Sequence, residues 1–403
     1  MKKIKLLKKS VLLLITISLV LIGCQDDEAI IEIQENDALI NFESTPIEGQ
    51  YIVTLNGQSS AKQANLKYSQ SKETLKNELL SKFTNIQLSK EIIVHTYGYA
   101  LNGFTAKLND DQLQILKKDN RIKLIEQDQL MTLKKPSWAG GGEDEVADQE
   151  TPWGIARVNG GISYDGNGVA WIIDTGIDLT HPDLNVDVSR SASFLGGKDA
   201  DDPNDANGHG THVAGTIAAI DNSEGVIGVA AGATVISVRV LNRRGSGTYS
   251  GVIAGVDYVA ANGATGDVAN MSLGGGVSQA MDDAVINASN SSGVIFCLAA
   301  GNSSNDANNH SPARANGPNI VTVSASDIND KFAYFSNYGN PPIDWCAPGV
   351  SIKSLWKKGG YNTISGTSMA TPHVAGVLLL GTGKKLKDVI GDPDGNPDDI
   401  ITH

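Results

Sequence analysis

A chain of 403 residues has room for two or three domains and a sizeable core. Its 45 acidic residues outweigh 32 basic ones, giving a formal net charge of −13. That balance excludes the basic face a nucleic-acid binder needs and accords with a soluble surface and calcium sites. Three cysteines are too few for a disulfide framework.

The chain opens with Lys2, Lys3, Lys5, Lys8 and Lys9, then an apolar stretch over 11–22 that is short for a stable membrane span. Leu21-Ile22-Gly23-Cys24 follows, and it resembles a bacterial lipoprotein box. The resemblance implies that 1–23 is a removed signal, that Cys24 is lipidated, and that the protein meets a membrane only through this anchor. It places the chain outside a bacterial cell or on its outer-membrane surface. An ordinary signal peptide is the alternative. Cys297 and Cys346 are then left over and are expected as buried free thiols. Residues 24–47 read as a polar tether without sustained period.

From 48 to 133 the pattern changes. Strand-like text at 49–55, 91–97 (leading through 98–108) and 122–128 and helical spacing at 72–83 and 110–118 give a β-α-β-β-α-β order. That order predicts a small α+β sandwich of ferredoxin-like type. Residues 134–150, with Gly140-Gly141-Gly142, read as a polar linker suited to cleavage.

From 151 to 403, apolar strands at 169–173, 234–240, 267–272, 294–298 and 320–323 alternate with helices at 211–219, 249–262, 278–292 and 367–380. Alternation of this kind predicts an α/β domain, a parallel sheet with helices on both faces. Ligands bind outside the carboxyl ends of such strands, where Asp174, Ser272 and Asn302 fall. Ser368 sits where a Gly-rich turn, Ser365-Gly366-Thr367, runs into an apolar helix. Its hydroxyl would be exposed beside N–H groups that lack helical partners. Taken alone, such a serine reads equally well as only a helix cap; His209 and Asp174, each in its own Gly-rich turn, decide against that reading.

The motifs Asp174-Thr175-Gly176, Gly208-His209-Gly210-Thr211-His212, Ser272-Leu273-Gly274-Gly275-Gly276, Ala299-Ala300-Gly301-Asn302 and Ser365-Gly366-Thr367-Ser368-Met369-Ala370-Thr371-Pro372-His373 occur in this order. Together they resemble the subtilisin family of serine proteases, closer to its proteinase K branch, over roughly 152–376. The resemblance implies a serine endopeptidase: Ser368 as nucleophile, His209 as general base, Asp174 orienting it, Asn302 in the oxyanion hole. His181, His212 and His373 are expected to be structural. Gly245, Ser246 and Gly247 and Ser272, Leu273 and Gly274 would form two edges holding a substrate backbone. Ala299, Ala300 and Gly301 would wall an apolar first pocket near His310, with no carboxylate to select a basic side chain.

By the same resemblance the domain at 48–133 is an inhibitory prodomain, carrying Asn102-Gly103-Phe104 and Ile125-Glu126-Gln127-Asp128, and the protein is an autoprocessed zymogen cut between 134 and 148. Its partners are then protein or peptide substrates and its own prodomain, and a monomer is expected. Calcium is the implied structural ion, at Asp344 with the carbonyls of Pro318 and Ile320, and a second candidate is the acidic loop 199–205. Only a short acidic tail follows the nucleophile helix, so the family's usual closing helices are expected to be lost or replaced. Two other readings compete: an inactive protein-binding module on the same fold, and a carboxylate-pair glycosidase, for which no motif places the acids.

Overall fold

The computed structural model describes residues 39–64, 66–134 and 148–403. The signal, Cys24, most of the tether and the glycine-rich part of the linker lie outside the described residues.

In the N-terminal domain, strands Asn41–Leu55, Ile93–Tyr97, Gly103–Lys107 and Ile122–Lys134 form an antiparallel sheet. Their order is 122–134, 41–55, 103–107, 93–97, as a split β-α-β-β-α-β sandwich requires. Helices Tyr68–Lys82 and Asp110–Leu116 supply the second layer. The core joins Val53 and Phe104 of the sheet to Leu79, Phe83 and Leu116. A capping box between Asn109 and Gln112 fixes where the second helix starts.

The tether is shorter than expected, because strand begins at Asn41 rather than near residue 50. Apolar Ile40 and Phe42 find cover on the C-terminal domain, where Ile40 is fully buried. That cover outweighs the polar composition around them.

The C-terminal domain is built on a ten-stranded sheet. From Ile343–Pro348 through Ile320–Ser326, Ile295–Ala299, Val268–Met271, Ala170–Asp174 and Thr234–Arg239 the strands are parallel. Strand Ala170–Asp174 is buried throughout and its side chains alternate between two cores. Trp171 and Ile173 pack with helices Tyr249–Asn262 and Gln279–Ser292, whereas Ala170 and Ile172 pack with His209–Ala218 and Thr367–Leu379. Burial on both faces is why the strand reads as a continuous apolar run.

The sheet is mixed rather than wholly parallel. Residues 384–402, expected as a tail, form a hairpin of Lys384–Asp388 and Asp399–Thr402 that adds to the edge beside Ile343–Pro348. Ile400 and Ile401 are buried, while the outermost strand is exposed and carries Lys384, Lys385 and Lys387. Lysines on an edge strand discourage further pairing. The acidic loop between these strands closes on itself, Asp392 accepting from the Asp398 N–H at 3.1 Å.

Cys297 and Cys346 are free and buried, as expected. Strand Ile320–Ser326 separates them, since Cys297 is opposite Val321 and Cys346 opposite Ser324. Two strand spacings, about 9–10 Å, exceed what a disulfide spans.

Winding reverses at Ala170–Asp174. The next long strand, Thr234–Arg239, lies on one side of it and Val268–Met271 on the other. A crevice opens at the carboxyl end of such a strand, and Asp174 is its last residue.

Candidate active site

Asp174 leaves the sheet directly beneath His209, the first residue of helix His209–Ala218. His209 Nδ1 lies 2.8 Å from Asp174 Oδ1 and 2.9 Å from Oδ2, and both side chains are wholly buried. A carboxylate held this way fixes the imidazole tautomer and leaves Nε2 facing the cleft. The turn and the helix meet very closely: a Cβ on Gly210 would stand 2.1 Å from the Gly176 carbonyl. Only glycine fits there.

One buried carboxylate, read from the sequence only as part of a candidate calcium loop, ties this corner together. Asp205 accepts from Thr175 Oγ1 (3.0 Å), the N–H groups of Asn207 (2.7 Å), Gly208 (2.9 Å) and Thr211 (3.0 Å), and Thr211 Oγ1 (2.7 Å). Both oxygens are engaged, and Asp202 pairs with Arg239 at 3.2 Å. Two acids of the loop 199–205, Asp202 and Asp205, are thus engaged by protein groups. The one sequence signal for Asp205 in this role was its place two residues before Asn207-Gly208-His209.

Ser368 is the second residue of helix Thr367–Leu379. Pro372 stands four residues later and has no N–H to give the Ser368 carbonyl. Ser272 Oγ fills the vacancy, donating to that carbonyl at 2.7 Å, and Asn270 Nδ2 donates to Ser272 Oγ at 2.8 Å. In return Ser368 Oγ donates to the Ser272 carbonyl at 3.1 Å. Among the described residues His209 Nε2 is buried without a hydrogen-bond partner, the serine hydroxyl donating to Ser272 instead.

Asn302 completes the group. Its Oδ1 accepts from the Thr367 N–H at 2.8 Å, which aims Nδ2 at the cleft, where it donates to the Ile40 carbonyl at 2.5 Å. Gly366, at φ +152°, lets the backbone pass: a Cβ there would lie 3.2 Å from Asn302 Nδ2.

A pocket beside Ser368 is lined by Leu273, Gly274, Ala299, Ala300, Gly301 and His310, with Asn41 and Phe42 also in its lining and, among the described residues, no carboxylate. Ser246–Thr248, preceded by Gly245, pairs antiparallel with Leu130–Thr132 of the N-terminal domain, and the Leu133 N–H donates to the Gly245 carbonyl at 2.9 Å. The expected catalytic and substrate-binding residues thus converge on one cleft, which the N-terminal domain covers.

His212 and His373 are buried in helices and bond to backbone carbonyls, His212 Nε2 to Ile352 at 3.0 Å and His373 Nδ1 to Met369 at 2.8 Å. Neither reaches the cleft group by a hydrogen bond.

The fold shows what the polar groups of the N-terminal domain's interface do. Asp257 accepts from the N–H groups of Gly98 (3.1 Å), Tyr99 (2.7 Å) and Ala100 (2.7 Å), and burial raises its carboxyl to about 6. Glu126 accepts from the Ala280 N–H at 3.2 Å and Asp128 from the Ser250 N–H at 3.0 Å. Each thereby meets the positive end of a helix.

Among the described residues no group of three or more His, Cys, Asp or Glu is placed to hold a metal. Asp344 accepts from the Thr322 N–H at 2.8 Å, two residues from Ile320, so the expected set would offer one carboxylate and backbone carbonyls. Its donors are oxygen only, which fits calcium chemistry.

Residues 167–387, more than half of the chain, match the subtilase family, and residues 50–134 match the peptidase inhibitor I9 family. The chain belongs to the subtilase family. This subtilase is 47% identical over 296 residues to alkaline serine exoprotease A of Vibrio alginolyticus, a match covering 70% of this chain and 52% of that protein. It is 39% identical over 296 residues to a cuticle-degrading protease of Metarhizium anisopliae, covering 70% and 71%. The crystal structure of a cold adapted subtilisin-like serine proteinase superposes with a TM-score of 0.54 at 44% identity, covering 62% of this chain and 97% of that one. The chain thus spans about half the length of the Vibrio relative and most of the other two. The N-terminal sandwich of this subtilase is an I9-type inhibitor prodomain.

Proposed function

We propose that this subtilase is a serine endopeptidase, made as a zymogen that cuts itself between residues 134 and 148. Ser368 Oγ attacks the substrate carbonyl carbon while His209 Nε2 takes its proton. The oxyanion is stabilised by Asn302 Nδ2 and the Ser368 N–H. His209 then returns the proton to the leaving amine, and water hydrolyses the acyl-enzyme by the same route. Asp174 holds the imidazole and stabilises the imidazolium. The observation that carries this reading is the double Asp174–His209 contact beside an Asn302 amide that already binds a peptide carbonyl. The small apolar wall of Ala299, Ala300 and Gly301 supports broad specificity for apolar or aromatic residues before the cleaved bond. Calcium at Asp344 with the Pro318 and Ile320 carbonyls, lipid anchoring through Cys24, export from a bacterium and a monomeric state complete the proposal.

A second reading, an inactive binding module, draws on the Ser368 hydroxyl being turned toward Ser272. The two states differ in whether that hydroxyl reaches His209 Nε2 once substrate is bound, a contact that tightens in the substrate complex. The two readings part in a protease-free host. Ser368→Ala should accumulate as unprocessed precursor and lose about 10⁶ in turnover; maturation of that variant would defeat self-cleavage.

A further inference from the structure

The N-terminal strand does more than begin the prodomain sheet. Residues 41–46 pair antiparallel with 129–134, from Asn41 opposite Lys134 to Pro46 opposite Gln129. The same stretch of 130–132 pairs antiparallel with Ser246–Thr248 on its other side. Residues 39–42 then cross the active site. The Ile40 N–H donates to the Ser365 carbonyl at 3.1 Å, and the Ile40 carbonyl takes Asn302 Nδ2 at 2.5 Å. Phe42 stands edge-on to His209 with ring centroids 6.2 Å apart. Downstream, Ser44 Oγ accepts from the Gly276 N–H at 3.0 Å.

The direction of this segment matters. Strand Ile122–Lys134 leads into the linker where the proposed cut lies, so its end occupies the acyl side of the cleft. Segment 41–46 is antiparallel to it and therefore runs against the direction of a cleavable substrate. Residues following the held carbonyl, Asn41 and Phe42, line the specificity pocket, where a substrate would place the residue that precedes the cleaved bond. The leaving nitrogen of the Ile40–Asn41 bond is consequently on the wrong side for protonation. Ser368 Oγ turned to Ser272 matches such an unproductive occupant.

We infer that residues 39–46, upstream of the I9-type segment at 50–134, form a second inhibitory strap that binds backwards, plugging the oxyanion hole with the Ile40 carbonyl and shielding His209 with Phe42. The inference rests on the proposed serine chemistry. It makes activation depend on the strap, which must leave Asn302 for the first cut in the linker and, if it returns, again before the processed enzyme turns over substrate.

The test uses the full chain, purified as the processed complex with its prodomain still bound, and a small fluorophosphonate as probe of Ser368. Ile40→Gly and, separately, Phe42→Asp should speed labelling of that complex at least tenfold over wild type. Enzyme freed of its prodomain should label at one rate whichever precursor it came from. Two variants guard against loss of folding in either one. Equal labelling of wild-type and strap-variant complexes would overturn the strap. Mass spectrometry of the prodomain at first processing should show the Ile40–Asn41 bond intact; a fragment ending at Ile40 would overturn the backward polarity. Failure of the freed enzyme to label at all would instead sink the serine chemistry, a distinct outcome.

Discussion

Ser272 and Ser368 exchange hydrogen bonds across the cleft floor, each hydroxyl donating to the other's carbonyl, at 2.7 Å and 3.1 Å. The first bond exists because Pro372 cannot satisfy the Ser368 carbonyl. Ser272→Ala should leave that buried carbonyl and the Asn270 amide unpaired, costing about 1–3 kcal/mol. Urea unfolding of the Ser368→Ala precursor with and without Ser272→Ala measures this; unchanged midpoints would contradict it.

The oxyanion donor and the carboxylate should fail differently from one another. Asn302→Ala should lower kcat about 10²–10³-fold with little change in KM, since its amide acts where charge develops. Asp174→Asn should cost about 10⁴, the price of the wrong imidazole tautomer. Steady-state kinetics on a peptide substrate separates the two, and a KM effect alone in either variant would argue against the assigned roles.

Acid should weaken the catalytic domain through histidines that play no part in the chemistry. Burial lowers His212 to about 3 and His373 to about 4, against about 6.5 in an unfolded chain. Between these values the unfolded chain binds more protons, so stability rises with pH. The stability from these neutral rings is fully present above about pH 6.5 and is lost as pH falls toward 4 and then 3. His373→Gln in the Ser368→Ala precursor should flatten the acid limb of its stability curve; an unchanged limb would contradict the assignment.

Prodomain grip should depend on two carboxylates at helix starts. Asp128→Ala removes the acceptor of the Ser250 N–H and should weaken the grip by about 1–2 kcal/mol, roughly 5–30-fold. Dissociation of the processed prodomain, followed by recovery of activity, measures it. An unchanged rate would move the grip elsewhere, to Asp257.

The cleft residues were legible because each sits in a short glycine-rich turn at the end of an apolar run: Asp174 after 169–173, Asn302 after 294–298, Ser368 before an apolar helix. Strand and helix type followed from the same runs. Ile40, Ser272 as a donor, and Asp205 as an organiser were not readable this way. The partners of Ile40 and Ser272 lie far along the chain, Asn302 being 262 residues from Ile40 and Ser368 being 96 from Ser272, and no local period marks a contact at that distance, whereas most groups that Asp205 organises lie within 6 residues of it. The closing hairpin hid for another reason: its outer strand is wholly exposed, so Lys384–Asp388 has no buried face to announce it.

Most directly, the reading turns on whether Ser368 becomes a nucleophile once the cleft is cleared. Enzyme freed of its prodomain should gain one phosphonyl group from a fluorophosphonate, located on Ser368 by peptide mass spectrometry. Ser368→Ala, freed of its prodomain by an added protease, should gain none. An unlabelled wild type, or equal labelling of both, would contradict the account.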